Sequence, residues 1–361
     1  MKKLGLTIFF DVFALMLLGL TMVMTASSTY SVFKFDNVFY LFNSHLFKVF
    51  LGIVAIIVFA FIPYEYYRRL SKPLIIATTI LLVVTLFFAH DIKGAGRWLN
   101  LGIVSIQPAD IAKLALIIHL AVLLESKAVT LDSYRDGFLY LFIWIMVISG
   151  LIMLQPNISS GIMLIIISLA VIYAGGAKFK HILLSLIISG TVIGAVAMIF
   201  PHSRSRIFSY VNSISSGGDI NFQVKQALYS LGSGGIFGVG IGNSMQSNLF
   251  LPEAYGDFIY AILGEEFGLI GSISVLLAYI VFLVCGILVA KKSKDMFGQL
   301  LAFGITISIV FYAFVNVAVT TGIFPTTGLP LPFISYGGSF LLSIMLMLGI
   351  VLNIARNKYL I

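Results

Sequence analysis

The chain has 361 residues, 60% of them hydrophobic and only 10% charged, with a mean hydropathy of +1.08. Soluble domains carry roughly 25% charged residues, so no water-exposed fold of this length could hide so much apolar surface, and lipid must be the solvent. The net charge of +8 does not mark a nucleic-acid binder, because the basic residues lie between apolar spans rather than in one patch, and the lone Cys285 excludes an intrachain disulfide or a thiolate metal cluster.

Residues 1–28 imitate a secretory signal, with Lys2 and Lys3, an apolar stretch, then Ala26-Ser27-Ser28. Asp11 interrupts the stretch and many spans follow, so an uncleaved first helix is expected. A membrane helix needs about 20 mainly apolar residues. On that scale spans are expected near 5–26, 46–63, 74–89, 109–124, 138–154, 158–174, 182–200, 257–290, 299–321 and 336–355. The segment 257–290 is long enough to include an extension or a break. The fold class is an all-α polytopic membrane protein of about ten transmembrane helices, a single integral membrane domain over 1–361. Apolar stretches recur through the whole chain, which rules out a single-pass anchor.

An even number of spans puts both termini on one side. That side receives Lys2, Lys3, Arg68, Arg69, Lys72, Lys127, Arg135, Lys178, Lys180, Lys291, Lys292, Lys294, Arg356 and Lys358. The other receives Lys34, Lys48, Lys93, Arg97, Arg204, Arg206 and Lys225, and Lys113 falls within a span. The heavier, helix-hugging set places both termini in the cytoplasm. The outer loops are then 27–45, 90–108, 155–157, 201–256 and 322–335. The longest, 201–256, between the seventh and eighth spans, is too long to be a mere connector. No internal repeat is visible, which counts against transporters built from duplicated halves.

Ionisable residues in or beside apolar runs are costly and come first as functional candidates. The stretch Gly94-Ala95-Gly96-Arg97-Trp98-Leu99-Asn100 leads to Gln107-Pro108-Ala109-Asp110-Ile111-Ala112-Lys113. Pro108 suits a first helical turn, and Asp110 suits the positive end of the helix dipole. Lys113 follows three residues on, nearly on the same face. Two readings stand: an Asp110–Lys113 pair that holds its helix in place, or a cationic pocket of Lys113 and Arg97 suited to phosphate.

The second constellation is Leu251-Pro252-Glu253-Ala254-Tyr255-Gly256-Asp257-Phe258, followed by Gly264-Glu265-Glu266-Phe267-Gly268. If helix runs unbroken from Asp257, Glu265 lies about 80° round and roughly 12 Å along from it, with Glu266 on the opposite side. A carboxylate at the mouth of a membrane helix serves as general base, cation ligand or cap. For Glu265 and Glu266 a buried structural role and a direct one stand side by side. The glycine-rich Gly232 to Gly242 follows no strand, so it is no dinucleotide fingerprint. It lets backbone approach a ligand, or folds back into the outer face. A Pro-rich turn, Pro325 to Ser339, opens the last span. The histidines 45, 90, 119, 181 and 202 show no metal spacing, and His119 reads as a packed residue.

These motifs, in this order on ten helices, resemble the SEDS family (shape, elongation, division and sporulation), whose members FtsW and RodA polymerise the glycan strands of peptidoglycan. The likeness runs from Asp11 to the end of the tenth span. Its most specific pieces are Leu251 to Gly268 and Gly328 to Gly338, and Arg97-Trp98, Gln107-Pro108, Lys113, Gln155-Pro156 and Gln223 fit as well. The chain departs from the family with Ala109-Asp110 for Ser-Glu, Asn157 for Asp, Tyr255 for His and Gly256 for Thr. Gly240 to Gln246 and Leu251 to Ala254 look closer to the FtsW branch than to RodA.

The resemblance implies a substrate, lipid II, whose tail stays in the bilayer while sugars and pyrophosphate lie at the outer surface. It implies that Asp257 deprotonates the acceptor hydroxyl, which displaces pyrophosphate from the donor with inversion. Candidate substrate contacts are Arg97, Lys113, Asp110, Glu253, Glu265, Gln223, Arg204, Arg206 and Ser335. Cations there stabilise the leaving group, and a divalent cation could share that task. The implied location is the bacterial cytoplasmic membrane, with the active site outside. The rival reading is a lipid-linked oligosaccharide transporter, which needs polar residues along a path through the bilayer; here they cluster towards one face. A pure scaffold leaves Asp257 and Lys113 unexplained. The family's usual partner is a class B penicillin-binding protein, and no Ser-x-x-Lys occurs in 201–256 to supply an acylating serine.

Overall fold

The computed structural model describes residues 1–88, 90–92, 95–100, 105–126, 131–216, 221–248 and 250–356. Helix α1 (Lys2–Phe35) runs well past Ala26-Ser27-Ser28, whose first two residues are buried in the bundle. It ends where Asp36 turns left-handed (φ 54°) and returns its N–H to the Val32 carbonyl at 2.9 Å. The loop expected over 27–45 therefore shrinks to 36–39, and α2 (Tyr40–Phe61) starts six residues before the expected 46. After a short turn α3 (Glu65–Phe88) follows.

The stretch 90–106, expected as plain loop, holds a small antiparallel sheet of β1 (His90–Ile92), β2 (Ala95–Asn100) and β3 (Ser105–Ile106), in the order β1-β2-β3. It leads into α4 (Pro108–Glu125), whose Pro108 occupies the first turn as its fixed φ favours. A single π-turn, Tyr134–Phe138, opens α5 (Leu139–Leu154). The hairpin of helices closes with α6 (Ile158–Ala174), and α7 (Phe179–Ile199) follows. The long loop 201–256 contains two helices, α8 (Pro201–Ser216) and α9 (Phe222–Ser233). The side chain of Asn221 caps α9 by accepting from the Gln223 N–H. The chain finishes with α10 (Ile259–Lys291), α11 (Met296–Thr320) and α12 (Ser339–Arg356).

Among the described residues eight helices are long and apolar enough to cross a membrane. The remaining two expected spans are α4 and α6. Helix α6 is short at 17 residues, and α4 carries Asp110, Lys113 and Glu125. Their composition follows from position: α4 is buried along nearly its whole length against α3, α6 and α11, so its polar groups meet protein rather than lipid. Helices α11 and α12 share that centre, whereas α2 and α7 turn most of their surface outwards.

The break anticipated in the eighth span lies at Gly268, which has φ 67° inside α10. The glycine-rich segment fills the break. Val239 and Gly240 donate to the carbonyls of Glu265 and Glu266 at 2.9 and 3.1 Å, and Leu269 and Ile270 donate to Gly235 and Ile236 at 2.9 and 3.2 Å. Gly238 is required there, since a Cβ on it would sit 2.1 Å from the Glu266 carbonyl oxygen. Of the two sequence readings, the segment folds back onto the protein. It satisfies the backbone groups that the kink frees. The straight part of α10 beyond Gly268 still measures roughly 34 Å, enough to cross hydrocarbon unaided.

At one end of the bundle Arg68 bridges Glu125 at 3.0 Å and also meets Asp295, which accepts from the Tyr64 hydroxyl at 3.1 Å. The sheet, α8, α9 and the turns that lead into α10 and α12 gather at the opposite end, linked by the contacts described next.

Candidate active site

Asp257 sits in the turn before α10, not on the helix, because helical geometry begins only at Ile259. The angular relation to Glu265 expected from an unbroken helix is therefore replaced by a tight turn. Glu253 adopts φ 58°, and its carbonyl accepts from Gly256 at 2.9 Å and Phe258 at 3.4 Å. The Asp257 carbonyl accepts from the Asn316 side chain at 2.7 Å, and the same amide nitrogen reaches the Leu329 carbonyl at 2.7 Å. Ser335 accepts from the Leu331 N–H and donates to the Gly256 carbonyl, both at 2.7 Å. Tyr336 donates its N–H to the Tyr255 carbonyl at 2.9 Å. Thus the Pro-rich turn, which the sequence left without a partner, is the clamp on the Asp257 turn. Gly328 lies against the carboxylate itself: a Cβ there would be 3.4 Å from Asp257 Oδ2.

Two guanidinium groups act on that carboxylate. Arg97, on β2, donates to the Gln155 carbonyl at 3.3 Å and to the Pro156 carbonyl, so the Gln155-Pro156 turn between α5 and α6 is its anchor. Gln155 in turn donates to the Leu82 carbonyl at 3.0 Å. Arg206, on α8, donates to the Thr326 carbonyl at 3.2 Å, and Tyr210 on the same helix meets the Ile323 carbonyl. Burial lowers the pKa of both arginines; Arg206 lowers that of Arg97 further, while the Asp257 charge opposes the fall in each. Arginine stays protonated regardless. Burial, a hydrogen bond to Tyr30 and the Asp257 charge push the Tyr255 hydroxyl upwards, so it remains a neutral phenol.

Lys113 and Arg97, paired in the sequence reading, have different neighbours. Lys113 Nζ lies 3.7 Å from Asp110 Oδ1, over the rings of Tyr312 and Phe340 at 4.1 and 5.0 Å, with only 4% of its side chain exposed. A buried ammonium needs compensation close by, and α11 and α12 supply it with aromatic faces. Ser339 donates to Asp110 at 2.9 Å and accepts from the Gln107 N–H at 3.0 Å, tying this pair to the start of α12. Glu265 is deeper. Its carboxylate accepts from the Ser230 and Ser244 hydroxyls at 2.7 and 2.6 Å and from the Met245 N–H at 2.9 Å. Glu266 accepts from Thr25 on α1 at 3.1 Å. Arg204 is exposed on α8, and Gln223 opens α9 half-buried. His119 packs against Trp144 and pairs with Ser71 at 2.9 Å, as a structural histidine would.

Sequence reasoning missed Asn316, whose signal was an amide in an otherwise apolar span, and Ser339, a hydroxyl just after Gly-Gly. Among the described residues no three His, Cys, Asp or Glu side chains are placed to hold a metal ion together. A single carboxylate such as Asp257 suits a magnesium-type ion only alongside water and substrate phosphate.

The family model described as cell cycle protein, which unites FtsW, RodA and SpoVE, matches residues 6–360. The chain belongs to this family. Stage V sporulation protein E of Bacillus subtilis is 36% identical over 345 residues, covering 95% of this chain and 94% of that one. A probable peptidoglycan glycosyltransferase FtsW of Trichlorobacter lovleyi is 34% identical over 348 residues, covering 96% and 91%. The crystal structure of RodA, the rod shape determining protein of Thermus thermophilus, superposes with TM-score 0.72 at 25% identity, over 98% of this chain and 96% of that one. A chain from a peptidoglycan synthase complex, described for its coordination of polymerization and crosslinking, superposes with TM-score 0.79 at 24% identity over 98% of both chains, a likeness of fold. The family match and the all-α polytopic fold thus extend over nearly the whole of this chain.

Proposed function

We propose that this chain is a peptidoglycan glycosyltransferase that joins the disaccharide units of lipid II into glycan strands. The observation that carries the reading is Asp257, fixed by its backbone between Asn316 and the Pro-rich turn, with two anchored guanidinium groups in its field. A base needs an invariant position, and a pyrophosphate leaving group needs cations that are already in place.

In this reading the Asp257 carboxylate takes the proton from the acceptor hydroxyl. That oxygen forms a bond to the anomeric carbon of the donor, and the carbon–oxygen bond to pyrophosphate breaks with its electron pair. One in-line displacement inverts the anomeric configuration. Arg97 and Arg206 neutralise the charge that develops on pyrophosphate, and exposed Arg204 extends the same field outwards. Ser335 and Glu253 shape the turn that holds Asp257. Asp110 and Lys113 hold the start of α12 beneath it, and Glu265 fixes the loop around Ser244. Gln223 belongs to α9, which covers α10.

The active site faces outwards, with both termini in the cytoplasm, as the charge bias favours. The chain works beside a class B penicillin-binding protein that crosslinks the strands. The deciding experiment is polymerisation of lipid II by the pure protein in bilayer discs. Wild type should make polymer and Asp257→Asn, nearly isosteric but not basic, should make none while staying folded. Polymer from a pure, folded Asp257→Asn variant overturns the base. Lipid transfer without polymer from wild type makes the chain a transporter instead.

A further inference from the structure

Outside the carboxylate and its two arginines, one aromatic cluster borders the same turn. Tyr30, near the end of α1, stands 5.2 Å from Tyr255 between ring centroids, and Tyr255 stands 5.7 Å from Tyr336. A lysine closes each end of this row. Lys34 Nζ donates to the Tyr30 hydroxyl at 3.2 Å, and Lys48 Nζ, on α2, donates to the Tyr336 hydroxyl at 3.0 Å and lies 4.3 Å from that ring's centroid. Ser44 reaches the Tyr336 hydroxyl at 3.3 Å. All three rings are half-buried, and Gly337 and Gly338 beside them leave the backbone partly open. The middle ring belongs to the residue two before Asp257.

We infer that Tyr30, Tyr255 and Tyr336, with Lys34 and Lys48 at the two ends, form a saccharide subsite beside the Asp257 turn that holds the glycan of the second lipid-linked substrate. The inference rests on the polymerase reading above. Each glycosidic bond joins two saccharides that both hang from pyrophosphate lipids. Arg97 and Arg206 serve the leaving group of one; the other sugar needs its own surface at the opposite side of the base. A pyranose presents a flat face of C–H groups and a rim of hydroxyls. A tyrosine offers the matching pair, an apolar ring face and a phenol at its tip. The interplanar angles of 42° and 83° turn the three rings in different directions, so each offers a contact of its own rather than one flat platform. The lysine at each end of the row is a point charge on a flexible stem, held by its tyrosine until the second pyrophosphate takes it.

Tyrosines and lysines also collect at bilayer interfaces, where each ring faces lipid. Here Tyr255 and Tyr336 meet edge to face across two turns that are hydrogen-bonded to each other, which aligns them with Asp257. The row also gives a role to Tyr255, where the family resemblance expects histidine.

The test uses the full-length protein in bilayer discs and a soluble tetrasaccharide of β-1,4-linked N-acetylglucosamine as the probe. Binding is read by saturation-transfer NMR, and lipid II polymerisation by KM, kcat and strand length. Tyr255→Leu and Tyr336→Leu should weaken tetrasaccharide binding and raise KM by about tenfold, the scale of one lost stacking contact, and should shorten the strands. Tyr255→Phe keeps the ring and should retain most binding. Asp257→Asn should bind the tetrasaccharide like wild type without turning over. Lys48→Met should raise KM for lipid II yet leave the uncharged tetrasaccharide unaffected, and it carries the test if a leucine variant fails to fold. If wild type polymerises and Tyr255→Leu, Tyr336→Leu and Lys48→Met keep its KM, strand length and binding, the subsite is wrong and the polymerase stands. If wild type binds the tetrasaccharide through these tyrosines but makes no polymer, the subsite stands and the polymerase reading falls.

Discussion

Asn316 ties two separate loops together through one side-chain nitrogen, which lies 2.7 Å from both the Asp257 and the Leu329 carbonyl oxygens. Both acceptors are carbonyls, so the amide must present its nitrogen there. A buried side chain on α11 thereby sets the spacing between the Asp257 turn and the Pro-rich turn that covers it.

Asn316→Leu should strand both carbonyls. The expected cost is about 1–3 kcal/mol of stability from unsatisfied buried acceptors. Loss of register at Asp257 should lower kcat by about a hundredfold, since small misplacements of a reacting group are that expensive. Thermal unfolding and lipid II turnover check the two halves separately. Unchanged turnover in a folded Asn316→Leu protein would show that Asp257 is positioned by the Pro-rich turn alone.

Arg97→Gln and Arg206→Gln should each lower kcat, and kcat/KM with it, about a hundred- to a thousandfold, the range for removing one group that stabilises developing charge. Their effects should not add, because both groups act on one anion and on each other. Neither arginine titrates in the working range, so the loss should be the same from about pH 6 to 9. A deficit that disappeared with pH, or normal kcat/KM in Arg206→Gln, would remove the arginines from leaving-group stabilisation.

Gly238→Ala places a Cβ 2.1 Å from a carbonyl oxygen that cannot move without reopening the α10 break, at a φ of 84° that strains any L side chain. A destabilisation of about 3 kcal/mol or more is expected. Detergent-solubilised Gly238→Ala should aggregate or unfold well below wild type. A normal unfolding temperature would mean that the segment 234–242 is only laid against α10.

The spans were legible because hydrocarbon thickness and apolar run length are one quantity read twice. Along the chain Tyr40, Asn43, Ser44 and His45 look like loop, yet α2 begins at Tyr40 and His45 is completely buried. The sheet over 90–106 was invisible, since its short strands carry no alternating pattern. Asp257 and Arg97 stood out as charges beside apolar runs. Their arrangement did not. Arg206 joins Asp257 only through the fold of α8 onto 322–328, and Lys113 joins Tyr312 and Phe340 only because α4, α11 and α12 meet at the centre. Those are long-range pairings, and neither periodicity nor spacing along the chain encodes them.

In the proposed orientation Lys292 lies in the cytoplasm and Lys225 outside, and both are exposed. Single cysteines at these positions, in a background carrying Cys285→Ser, report the two faces independently. The native thiol is buried, so it is a poor target for the reagent and its removal clears only residual background labelling. In intact protoplasts a membrane-impermeant maleimide should label Lys225→Cys and spare Lys292→Cys, with both labelled after permeabilisation. The reverse pattern would put Asp257, Arg97 and Arg206 in the cytoplasm, where a wall polymerase could not deliver its product. Labelling of both sites in intact cells would mean that α10, with its break at Gly268, does not separate them as a span. Because α9 and the α10–α11 turn flank α10 on its two ends, this pair of cysteines tests the span and its direction together.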